Sequence, residues 1–71
     1  MERNKFVLAC QEYLVNGKLS VISSGIEYNP IAYQLSFDRN GKPVHTAVLL
    51  DKSKRSVVYA RVSDVEILKE A

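Results

Sequence analysis

The chain has 71 residues, 46% of them hydrophobic and 25% charged, with a formal net charge of +2. That is one small domain spanning 1–71, apolar enough to fold and too weakly charged to demand a polyanionic partner. One cysteine, Cys10, excludes an intramolecular disulfide, and with the single histidine His45 it falls short of the four ligands of a structural zinc site.

No N-terminal stretch pairs a basic start with an apolar run, and no N-x-S/T sequon occurs. No apolar run approaches the ~18 residues needed to span a bilayer. A cytoplasmic protein is expected.

In chain order, residues 3–16 read as an amphipathic helix. At 100° per residue Phe6, Val7, Ala9, Cys10, Tyr13 and Leu14 share an arc, with Asn4, Lys5, Gln11, Glu12 and Asn16 opposite. Leu8 and Val15 fall on the polar side. Asn16-Gly17 supplies the stop. The alternative is a hairpin over residues 5–24 turning at Asn16-Gly17, which would give an all-β small barrel.

Leu19 to Ser23 is a short edge strand, and Ser23-Ser24-Gly25 and Tyr28-Asn29-Pro30 punctuate an irregular stretch. From Ile31 to Asp38 apolar and polar residues alternate, the signature of a half-buried strand. Asn40-Gly41 is the preferred pair of a type I′ turn. That turn fixes a register in which Phe37 opposes Val44, Leu35 opposes Thr46, Tyr33 opposes Val48 and Ile31 opposes Leu50. In that register Tyr33, Leu35, Phe37, Val44, Val48 and Leu50 form the core face.

Asp51 to Arg55 is a charged turn and Ser56 to Val62 a third strand, with Val58, Ala60 and Val62 inward so that Arg61 stays in water. Ser63-Asp64-Val65-Glu66 fits a capping box that starts a short helical turn, or Val65 and Ile67 extend a strand. The expected fold is α+β: an N-terminal helix on one face of a three- or four-stranded antiparallel sheet.

Catalytic chemistry is not visible. His45 sits on a strand with no nucleophile placed beside it, and Cys10 points to the core, where a thiol acts as a small hydrophobe. The three glycines are isolated and the acids scattered, so no phosphate loop, calcium loop or cofactor site is expected. The chain reads as a non-enzyme.

Two binding modes remain. The sheet face turned from the helix would carry Gln34, His45, Leu49, Val57, Tyr59 and Arg61, a mixed apolar and polar surface suited to a protein partner or a second copy of the chain. Alternatively, the basic segment 39–61, with Arg39, Lys42, Lys52, Lys54 and Arg55, would bind nucleic acid. A helix followed by an antiparallel meander over residues 3–62 is similar in element order to double-stranded-RNA-binding domains. The lysine cluster that such domains carry at the start of a final helix has no counterpart in 63–71, which holds three acids and one lysine. Arg39 and Lys42 also flank a different turn from Lys52, Lys54 and Arg55, which breaks a continuous phosphate-tracking stripe.

Overall fold

The computed structural model describes residues 1–53 and 55–68. One helix, α1 (Arg3–Asn16), precedes five antiparallel strands: β1 (Val21–Ser23), β2 (Ile26–Phe37), β3 (Pro43–Asp51), β4 (Val57–Arg61) and β5 (Val65–Ile67). A single 3-10 turn, Val62–Asp64, joins β4 to β5. The class is the expected α+β, with five strands rather than three or four, and the helix alternative prevails over the hairpin at 5–24.

Helix α1 has the expected limits. Gly17 closes it in the left-handed conformation at φ 69°, donating its N–H to the Tyr13 carbonyl at 2.7 Å. Phe6, Ala9 and Cys10 are buried, while Leu8 and Val15 stand in solvent as their helical phase requires. Leu14, read as part of the apolar arc, is exposed too. It sits in the last turn, where the helix runs out of sheet to cover.

The strand order is β4-β3-β2-β1-β5, so β1 is interior and β4 and β5 are the edges. Those edges are nevertheless linked by three residues of 3-10 helix, a span of about 6 Å at ~2 Å per residue. In a flat five-stranded sheet the edges would lie about 19 Å apart. The sheet is therefore strongly curled, and a bulge between Pro30 and Ala32 gives β2 the bend it needs. Val62 and Val65 at the joint pack in one cluster with Phe6, Cys10, Val21, Tyr28, Ala47 and Leu49, so the core fills the concave side beneath the helix. The sheet does not close into a barrel.

Three expectations about the hairpins are corrected. The turn with positive φ at both central residues, the type I′ signature, is at Ser24-Gly25 (φ 52° and 76°), where it joins β1 to a β2 that starts at Ile26 instead of Ile31. At the β2–β3 turn only Gly41 has positive φ. There Gly41 donates to the Asp38 carbonyl at 3.0 Å, Asp38 donates to Lys42 O at 3.0 Å, and Asp38 Oδ1 accepts from the N–H groups of Asn40 and Lys42. This is a three-residue loop over Arg39, Asn40 and Gly41, built on a turn that opens with Asp38.

The extra loop residue shifts the register by one. Phe37 pairs with Pro43, Leu35 with His45 and Tyr33 with Ala47. In a strand of period 2 such a slip exchanges the faces of β3. Ala47 and Leu49 are fully buried, and Val44, Val48 and Leu50, expected inside, are half-buried on the outer face. Leu35 and Phe37 do face the helix side, but β4 pairs only with Thr46 to Leu50 of β3, so the hairpin outruns its cover and both are exposed.

The facing chosen for β4 is observed. Val58 and Ala60 pack against the core, and Val57, Tyr59 and Arg61 face out. The capping box at Ser63-Asp64-Val65-Glu66 does not form: the turn is Val62–Asp64 with no side-chain cap hydrogen bond, and Val65–Ile67 take the strand alternative, pairing with β1.

Candidate functional site

The register builds the outer face row by row. Gln34, Thr46 and Arg61 are cross-strand neighbours on β2, β3 and β4. The next row is Ala32, Val48 and Tyr59, and the one after it Asn29, Leu50 and Val57. Asn29 is buried and spends its side-chain amide on the Leu19 carbonyl at 2.9 Å. Val48, Leu50, Val57 and Tyr59 thus form a contiguous apolar block, with Tyr59 65% and Val57 48% exposed. Arg61 is its one charged neighbour in these rows. On β4 the block also borders a free sheet edge, whose outward backbone groups have no ladder partner among the described residues.

Of the residues expected on this face, Gln34, Val57, Tyr59 and Arg61 are there. Leu49 and His45 are not. Leu49 is fully buried, and His45 lies half-buried on the helix side, where its Nδ1 is hydrogen-bonded to the Tyr33 hydroxyl and the two rings stack at 5.9 Å. Both misplacements follow from the register shift. Val44, Thr46, Val48 and Leu50 take their places, and the signal that would have found them is Asp38, a favoured opening residue for the turn actually made.

The basic residues of 39–61 divide as the two turns divide. Arg39 and Lys42 are exposed at the β2–β3 turn. Lys52, at the other end of β3, is held by Glu27 Oε1 at 2.8 Å and by Ser20 Oγ at 2.6 Å. The Lys52 hydrogen bond, then that of Ser20, holds the Glu27 carboxyl below its usual range. Arg55 is exposed beyond it, and Lys54 lies outside the described residues. Among the described residues a single basic stripe is not formed.

A second feature was not legible from the sequence. A cleft of about 220 Å³ opens where the start of α1, the start of β3 and the end of β4 meet, lined by Arg3, Pro43, His45, Arg61, Val62 and Ser63 together with Met1. Among the described residues no carboxylate lines it. Among the described residues the ion pair is Lys52–Glu27, so neither guanidinium of the cleft has an acidic partner. Arg3 and Arg61 are separated by most of the chain, and only the 3-10 turn brings them together.

Cys10 is free and buried, and burial pushes its thiol up to about 11 from an ordinary 9.0. The folded thiol stays protonated where the unfolded one has begun to ionise. Its contribution is therefore intact below pH ~9 and lost as pH rises from there towards 11. Wild type should lose stability over that window relative to Cys10→Ala, measured by urea denaturation at successive pH values; parallel curves would show the thiol to be accessible. Among the described residues no group of three or more His, Cys, Asp and Glu could hold a metal ion, and no helix is long and apolar enough to cross a membrane. No known protein family, curated protein or solved structure matches the chain.

Proposed function

We propose that the chain is a non-enzymatic interaction module that associates with a second copy of itself through the outer sheet face. The observation that carries this reading is the block of Val48, Leu50, Val57 and Tyr59, apolar, contiguous and left uncovered by a fold with a single helix. A copy of this face can meet it without opposing like charges at the centre, because Arg61 stands at one margin. Tyr and Arg at the border of an apolar centre are the composition interfaces favour. A core this small gains from the added burial, since a domain of this size rarely supplies more than ~3–5 kcal/mol alone.

The non-enzymatic reading is supported by the state of the two reactive side chains. His45 spends one nitrogen on Tyr33, and the Cys10 thiol is buried and held protonated. The same buried free thiol fits a cytoplasmic setting. Nucleic acid is the weaker reading because Lys52 is neutralised by Glu27 at the far end of the sheet from Arg39 and Lys42.

The test is solution mass by light scattering over a wide range of concentration, for wild type and for Val48→Lys with Tyr59→Ser. Wild type should be dimeric and the double variant monomeric, with matching circular dichroism. A monomeric wild type, or a folded variant of unchanged mass, would make this face an outer wall of the domain and nothing more.

A further inference from the structure

We infer that the cleft between α1, β3 and the β4 end is an anion site that takes the terminal phosphate of a small phosphorylated molecule. Arg3, Arg61, His45 and Ser63 line it, and among the described residues no Asp or Glu does. Two arginines from opposite ends of the chain line one cleft with no acidic partner among the described residues, which leaves the cleft locally positive, and guanidinium is the group best matched to phosphate oxygens.

The Tyr33 hydroxyl and His45 Nδ1 share a hydrogen bond in which either can donate, according to the imidazole tautomer. An anion in the cleft selects the arrangement in which the hydroxyl donates to Nδ1, because Nε2–H is then the donor left for the ligand. Tyr33 is thus a positioning residue: its hydroxyl supports that tautomer, and the stacked rings at 5.9 Å hold the plane of the imidazole.

Size limits the occupant. At about 220 Å³ the cleft lies below the ~300–1,000 Å³ of pockets that enclose whole drug-sized ligands. It accommodates one anionic group with the rest of its molecule outside. A terminal phosphate, with three oxygens to share among Arg3, Arg61, His45 and Ser63, uses the lining more fully than a carboxylate or a backbone diester.

The experiment is a titration of the full chain, followed by amide and imidazole ¹⁵N chemical shifts. The probes are inorganic phosphate, phenyl phosphate and a short single-stranded oligothymidylate without a terminal phosphate. Phosphate and phenyl phosphate should move the resonances of residues 2–5, 43–46 and 61–64, with His45 Nε2 among the largest. Arg61→Gln, a change at an exposed position, should weaken phenyl phosphate binding about tenfold or more, as expected for loss of a charge-assisted contact. Tyr33→Phe should keep the fold, shift the His45 tautomer signature and weaken binding severalfold. Lys52→Gln should change nothing.

Shifts spread equally over Arg39, Lys42, Lys52 and Arg55 would overturn the assignment. So would unchanged affinity in Arg61→Gln, or preferential binding of the oligonucleotide with a steep salt dependence.

Discussion

Leu49→Ala should cost about 2–5 kcal/mol, because it deletes a fully buried side chain from the middle of the core. That is comparable with the ~3–5 kcal/mol expected for a domain of this size, so the variant should be substantially unfolded at room temperature. Its neighbour is the control. Leu50 points to the outer face and is half-buried, and Leu50→Ala should cost less than half as much. Urea denaturation monitored by circular dichroism ranks the two. The opposite ranking would restore the register in which Leu50 faces the helix and Leu49 the solvent.

That ranking isolates the point at which local sequence signals stopped being sufficient. The alternation in Ile31 to Phe37 announces a strand, and helix α1 is written in the spacing of Phe6, Ala9 and Cys10 with Gly17 after it. Each is a property of consecutive residues. The pairing of β3 on β2 depends instead on whether the loop has two residues or three, and both readings keep apolar side chains in register. Asn40-Gly41 favours two; the Asp38 carboxylate, accepting two backbone N–H groups across the loop, favours three and prevails. One residue of loop length then decides whether His45 and Leu49 or Val48 and Leu50 are offered to a partner.

Two further features needed long-range contacts. β5 is a strand only because β1 lies beside it, pairing Val65 with Ser23 and Ile67 with Val21. The local S-x-x-E signal favours a turn capped at Ser63, but the turn that forms, Val62–Asp64, has no side-chain cap hydrogen bond, and Glu66 lies in β5. The cleft at Arg3 and Arg61 depends on the curl of the sheet, which no local pattern encodes. The candidate interface was half legible, through Gln34, Val57, Tyr59 and Arg61. The facing of these residues does not pass through the β2–β3 turn: Gln34 follows from the alternation along β2, and Val57, Tyr59 and Arg61 from burying Val58 and Ala60 so that Arg61 stays in water.

Gly41→Val should destabilise the domain by about 1–2 kcal/mol or more, and the comparison with Asn40 reads out the turn itself. Gly41 has φ 76°, a conformation in which a β-branched side chain is strained. A Cβ added there would meet no atom within 4 Å, so the cost is conformational rather than a clash. In a type I′ turn Asn40 would need positive φ as well, and Asn40→Val would be nearly as damaging. In the turn observed, Gly41 alone is left-handed, and the backbone N–H of Asn40, not its side chain, bonds to Asp38. Asn40→Val should therefore stay within about 0.5 kcal/mol of wild type, as an exposed substitution away from any special geometry does. Thermal melts of the two variants decide between the turns. A large loss in both would mean that the hairpin closes on two residues, which would return Leu49 and His45 to the outer face and empty the proposed interface of Val48 and Leu50.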